Sequence, residues 1–165
     1  MRDALIRPHI PALRRYAWAL CRHAHDADDL VQECLLRALS SWHLRRPEAS
    51  VRAWMFAILH NAFISGRRRD QRRPQAELDD ERPADAVQEQ RLLLDDVRIA
   101  LSSLPDEQRA VLLLIGVEDF SYSEAARILD VPIGTVMSRL SRGRERVRTM
   151  LEGNGLGEPR LRRVK

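Results

Sequence analysis

The 165 residues are 44% hydrophobic, 32% charged and only 5% aromatic, the profile of an Arg- and Leu-rich all-α chain; a sheet protein draws on more β-branched and aromatic residues. This length allows one domain or two small ones, and two helical modules of about 70 residues each sit near the lower limit for independent stability, so partners are expected to contribute. The net charge of +4 favours an anionic partner only weakly.

Leu13, Tyr16, Ala17 and Leu20 recur at i, i+3, i+4, i+7 and predict a first amphipathic helix. Asp26 is placed to cap a second, running to about Ser41, and Trp42 to Ser50, with Pro47, reads as a polar loop. A third helix is predicted from about Val51 to Arg69. Its stretch Ala53–Leu59 is apolar nearly all round, which marks the central helix of its module. Between Gln71 and Gln90 the periodicity stops, Pro74 and Pro83 appear, and Glu77, Asp79, Asp80, Glu81, Asp85 and Glu89 make a flexible acidic linker. Periodicity resumes with Leu93, Val97, Ala100, Leu101 and Leu104, and Pro105 opens a helix carrying Val111, Leu112, Leu114 and Ile115. The expected organisation is a helical domain over 1–70, a linker over 71–90, a second helical domain over 91–153 and a disordered basic tail over 154–165.

Ser121-Tyr122-Ser123-Glu124 has the capping-box pattern, with Ser121 accepting from the Glu124 amide and the Glu124 side chain returning to the Ser121 amide. The helix it starts carries Ala125, Ala126, Ile128 and Leu129 and stops at Asp130-Val131-Pro132; another begins near Gly134-Thr135. Two short helices joined this tightly suggest a helix-turn-helix. In the second, Val136, Leu140, Gly143 and Val147 form one inward stripe at 100° per residue. The opposite arc holds Ser138, Ser141, Arg142 and Glu145, with Thr135, Met137 and Arg139 at its N-terminal and lateral edges. Small hydroxyls and guanidinium groups near a helix N-terminus suit the major groove, where Arg pairs with guanine O6 and N7. The pattern favours DNA reading, with a solvated basic face as the other reading. Arg144, Arg146 and Arg148 suit phosphates or simple solubility. A second cluster, Arg67, Arg68, Arg69, Arg72 and Arg73, ends the N-terminal module.

Cys21 and Cys34 lack a CxxC partner, and His23 and His25 stand too near Cys21 for a familiar zinc spacing, so two buried thiols in a reducing cytoplasm are expected, with no metal or other cofactor. No apolar run approaches the roughly 20 residues that cross a bilayer, so no membrane span is expected. The Gly-rich phosphate loops and nucleophile–base pairs of enzymes are missing, and a non-catalytic protein is expected.

In the segment Asp28-Asp29-Leu30-Val31-Gln32-Glu33, Leu30, Cys34 and Ala38 point one way, while Asp29, Gln32, Glu33, Leu36 and Arg37 form a mixed acidic and apolar face suited to a protein partner. Here the chain resembles the extracytoplasmic-function sigma factors of bacterial RNA polymerase, which keep only the second and fourth sigma regions. Asp28–Glu33 is similar to region 2.2, and Val51-Arg52-Ala53-Trp54 with His60-Asn61 to regions 2.3 and 2.4. Leu104–Arg109, Ser121–Ala126 and Val131–Leu140 are similar to region 4. The resemblance implies a monomeric cytoplasmic specificity subunit that binds core RNA polymerase and promoter DNA and is held by an anti-sigma factor in a stress response. It assigns Asp28, Asp29, Gln32, Glu33, Leu36 and Arg37 to core polymerase. Arg52, Trp54, Asn61, Arg67, Arg68 and Arg69, with the Trp42–Ser50 loop, go to the −10 element, where a base is captured out of the stack. Thr135, Met137, Ser138, Arg139, Ser141 and Arg142 go to the −35 element. Two other readings stand beside it: a sigma-like decoy, which would carry a receiver domain, and a dimeric helix-turn-helix repressor.

Overall fold

The computed structural model describes residues 1–70 and 88–153, with side chains described for 1–70 and 95–153. Among the described residues there are helices and turns and no strand. Helix α1 (Arg2–Ile6) runs through a 3₁₀ turn at Pro8 into α2 (Ile10–Cys21). Leu13, Tyr16, Ala17 and Leu20 are all buried on one side of α2, as their spacing predicts. Arg22 ends α2 in the left-handed region (φ 63°), its N–H returning to the Trp18 carbonyl at 2.9 Å. The chain is thereby reversed early enough for α3 (Ala24–Ser40) to start two residues ahead of Asp26, with extended His23 as its N-cap. The expected Asp26 cap is therefore corrected. Asp26 sits in the first turn, where its charge still favours the positive end of the helix dipole.

Leu30, Cys34 and Ala38 of α3 are buried, together with Ala27 and Val31. The loop after α3 contains a 3₁₀ turn at Trp42–Leu44 and is closed by Arg45, whose Nη1 donates to the Ala49 carbonyl at 2.8 Å. Helix α4 (Val51–Asp70) buries Met55, Phe56, Leu59, His60, Ala62 and Phe63 and is central, as its all-round apolarity predicts.

Helix α5 (Gln88–Ser102) begins within the stretch read as linker and takes in its last three residues, 88–90. The rest of that linker (71–87), the predicted tail (154–165) and the Leu93 side chain lie outside the described residues. After Pro105, α6 (Asp106–Leu112) passes into a wide π-helical turn, Leu113–Val117. The Glu118 N–H reaches the Leu113 carbonyl and the Phe120 N–H the Leu114 carbonyl, both at 3.0 Å. Asp119 between them is left-handed (φ 57°). This tight exit turns Glu118 and Phe120 inward, leaving them 2% and 4% exposed.

Helix α7 (Tyr122–Leu129) carries the capping box in full: the Glu124 N–H donates to Ser121 Oγ at 3.1 Å and the Ser121 N–H to Glu124 Oε2 at 2.8 Å. Left-handed Asp130 (φ 52°) ends it, and the Val131 N–H closes the turn on the Ala126 carbonyl at 3.0 Å. Helix α8 (Ile133–Gly153) buries Val136, Leu140 and Gly143 and half-buries Val147. A Cβ on Gly143 would stand 2.9 Å from Leu112 Cδ1, so glycine here lets α8 lie directly against α6.

Two helical modules are present, as expected, and they pack on each other. α4 lies against α7 as well as against α2 and α3, and one hydrophobic core runs from Ile6 to Leu140. Part of the stability expected from partners is thus supplied by each module to the other.

Candidate nucleic-acid interface

Inward anchoring by Val136, Leu140 and Gly143 fixes what α8 shows to solvent. Met137, Ser138, Ser141 and Arg142 are exposed on one face, and Thr135 is half-buried beside them. Ser138 Oγ donates to the Thr135 carbonyl at 3.1 Å, which keeps the first turn compact. Arg139 stands apart: its side chain is 22% exposed and pairs with Glu107 of α6 at 3.5 Å, so it leans toward the scaffold. Tyr122 of α7 and Met137, Leu140, Ser141, Arg144, Glu145 and Arg148 of α8 line a shallow groove of about 420 Å³. Arg148 is engaged by Glu145, at 2.6 and 2.8 Å to its two oxygens. The reading face therefore combines hydroxyls, one free-standing guanidinium at Arg142 and an apolar tip at Met137. That mix can donate to guanine and contact a thymine methyl.

In the N-terminal module, Trp54 is half-buried and meets Trp42 edge-on at 5.9 Å, with the Arg45 guanidinium over the Trp42 ring at 4.9 Å. This aromatic pair braces the Trp42–Ser50 loop against α4, and Asn61, Arg68 and Arg69 are exposed further along the helix. Arg52 and Arg67 are engaged elsewhere. Arg52 donates through Nη2 to the backbone carbonyl of Glu118, comes within 3.4 Å of Glu118 Oε2, and lies over the Phe120 ring at 4.1 Å. Arg67 Nε pairs with Asp106 Oδ2 at 3.1 Å.

On α3, Asp28, Asp29, Gln32, Leu36 and Arg37 are exposed and Glu33 is half-buried. Leu36 is 69% exposed amid these polar groups, and Arg37 pairs with Glu33 one turn earlier. Such an i, i+4 pair contributes only about 0.3–0.5 kcal/mol, so this face is held by the helix rather than by its charges.

The residue types did not reveal the set that joins the modules. Arg15 grips Glu118 with two parallel bonds, Nε to Oε1 at 2.8 Å and Nη2 to Oε2 at 2.9 Å, a fork geometry only Arg provides. Phe56 and Phe120 meet edge-on, with the Arg52 guanidinium over both rings. Arg109 is 1% exposed; it donates to the Leu20 carbonyl at 3.1 Å and the Leu104 carbonyl at 3.0 Å and pairs with Asp106. Arg22 Nη1 donates to the Ser102 carbonyl at 2.8 Å. The all-round apolarity of α4 predicts only the central helix of its own module, yet α4 also packs against α7.

Cys34 is buried and its Sγ donates to the Met55 carbonyl at 3.4 Å. Burial pushes both Cys21 and Cys34 thiols up to about 12, which keeps them protonated and unreactive. Among the described residues no cluster of ligating side chains could hold a metal ion, and no helix is long and apolar enough to cross a membrane.

The arrangement defines a class: a helical bundle with an exposed mixed acidic and apolar face on α3, joined to a helix-turn-helix whose second helix leaves one polar face exposed. Comparison with known proteins narrows it. A profile described as the Sigma2 domain of PhyR matches residues 6–60, and one described as Sigma-70, region 4, matches residues 94–147. The chain is 38% identical over 160 residues to the ECF RNA polymerase sigma factor EcfG of Rhodopseudomonas palustris, covering 94% of this chain and 87% of that one. Its fold is similar to the sigma factor RpoE in a complex with the anti-sigma factor NepR from Bartonella quintana. The TM-score is 0.80 and the identity 35%, with 89% of this chain and 94% of that one covered. It is also similar to CnrH in complex with the cytosolic domain of CnrY, at TM-score 0.70 and 26% identity over 92% and 88% of the chains. The chain belongs to the extracytoplasmic-function RNA polymerase sigma factors.

Proposed function

We propose that this sigma factor directs core RNA polymerase to promoters by reading two elements with separate modules, in a stress or environmental response, and that an anti-sigma factor holds it inactive in the cytoplasm. The observation that carries the reading is the exposed face of α8, where Met137, Ser138, Ser141 and Arg142 project from a helix locked at its back by Val136, Leu140 and Gly143. These four, with Thr135 and Arg139 at the edge, are assigned to the −35 element. Arg142 is the strongest candidate for a bidentate guanine contact. Arg52, Trp54, Asn61, Arg67, Arg68 and Arg69 are assigned to the −10 element, the arginines as phosphate contacts. The α3 face of Asp28, Asp29, Gln32, Glu33, Leu36 and Arg37 is assigned to core polymerase, an exposed leucine ringed by charge being suited to a protein interface. The chain itself performs no catalysis and needs no cofactor.

The similarity to the sigma factor RpoE, solved with the anti-sigma factor NepR, supports an anti-sigma factor as the regulator. Run-off transcription with purified core tests the function. The expected result is a discrete transcript from a promoter bearing both elements only when this chain is added.

A further inference from the structure

Three ion pairs cross the boundary between the modules among the described residues: Arg15–Glu118, Arg52–Glu118 and Arg67–Asp106. In each the cation belongs to the N-terminal module and the carboxylate to the C-terminal one. Two of these cations, Arg52 and Arg67, are among those assigned to promoter phosphates. Glu118 is 2% exposed and is delivered by a π-helical turn and a left-handed Asp119, an arrangement ordinary helix geometry would not produce. Its carboxylate accepts two parallel bonds from Arg15 while also facing Arg52, the geometry in which a phosphate group takes up guanidinium ions.

We propose that Glu118 and Asp106 are internal stand-ins for promoter phosphates, which latch the two modules together by occupying Arg52 and Arg67 until DNA competes for them. The inference rests on the sigma-factor reading, which puts those arginines on DNA. In the latched chain the α8 reading face stays free while the N-terminal module's DNA surface is partly masked. Free DNA then binds with an affinity reduced by the fraction of chains that are open. The arginine ends of these pairs are part-exposed although the apolar centre of the boundary is buried, so added salt weakens the charged part of the latch as well as DNA binding itself.

The sharpest variant is Arg15→Gln. Arg15 is half-exposed, holds Glu118 and has no assigned DNA contact, so its replacement loosens the latch while removing a positive charge. The experiment uses the full chain, a fluorescein-labelled mixed-sequence single-stranded DNA 12-mer read by anisotropy, and small-angle X-ray scattering for the separation of the modules. Arg15→Gln and Glu118→Gln are each expected to enlarge the radius of gyration and tighten DNA binding by about tenfold. Adding Arg52→Gln to either should cancel most of the gain. The latch is overturned if both variants are folded by circular dichroism and bind the 12-mer no more tightly than the parent, or if Arg15→Gln binds more weakly, as plain loss of a cation would give. Should Glu118→Gln fail to fold, Arg15→Gln alone decides. Run-off transcription by the parent chain with core separates the two levels: a transcript with unchanged variant affinities removes the latch alone, and no transcript removes the sigma reading.

Discussion

Phe56 of α4 meets Phe120, at the exit of the π-helical turn, with ring centroids 5.0 Å apart and planes at 71°. This edge-to-face pair is the apolar centre of the contact between the modules, and the Arg52 guanidinium covers it. Removing the Phe120 ring leaves a cavity facing α4. Phe120→Ala is expected to cost about 3–5 kcal/mol and to split a single thermal unfolding transition into two, one per module. Calorimetry checks this, and one unshifted transition would contradict it.

His60 is buried beside Tyr16, its Nδ1 3.3 Å from the hydroxyl, with Phe63, Arg139 and Asp106 also near. Burial, helped by the Arg139 charge and opposed by Asp106, holds the imidazole down at about 4. In the unfolded chain it titrates near 6.5, so between those values the unfolded state takes up the proton first. The stability this neutral ring preserves is complete above about pH 7 and falls as pH drops, by about 2–3 kcal/mol at pH 4.5. Urea midpoints from pH 7 to 4.5 for the parent and His60→Gln give the comparison: the variant should lose distinctly less. Parallel curves would show that His60 is not the acid-sensitive group.

Gly143 lies where α8 touches Leu112 and Gln108 of α6, and a Cβ there would come within 2.9 Å of Leu112. Gly143→Val forces the two helices apart and should lower stability by about 1–3 kcal/mol. The urea midpoint should drop with little change in slope, and the reading face should lose affinity for duplex DNA in parallel.

Arg142 and Arg139 are three residues apart on α8 and are expected to differ in their effects. Arg142 is exposed, whereas Arg139 is mostly covered and paired with Glu107. Arg142→Ala should cost about 1–3 kcal/mol on a cognate −35 duplex and much less on a scrambled one. Arg139→Ala should cost under about 1 kcal/mol on either. Competition anisotropy measures both; equal losses by Arg142→Ala on the two duplexes would reduce it to a phosphate contact.

Much of this architecture was legible in the sequence because it depends on local period and local caps. The stripes of α2, α3 and α8, the Ser121–Glu124 capping box and the turn at Asp130 are each settled within about a dozen residues. The start of α3 is not legible in the sequence because a left-handed Arg22, which no residue type announces, sets where the helix can begin. The latch was out of reach for a different reason. Glu118 meets Arg15 and Arg52 across 103 and 66 residues, and nothing in the local chain separates a buried carboxylate with distant arginines from a solvated one. The family resemblance puts Arg52 and Arg67 on phosphate, and the structure shows them already holding carboxylates of the same chain.

The central claim is that this chain supplies promoter selectivity to core RNA polymerase. Run-off transcription on templates in which the −35 and −10 elements are scrambled separately measures it most directly. The account predicts a discrete transcript from the intact promoter, dependent on both core and this chain and lost on scrambling either element. No transcript with core, alongside tight binding of the isolated chain to a palindromic duplex, would contradict it and return the repressor reading.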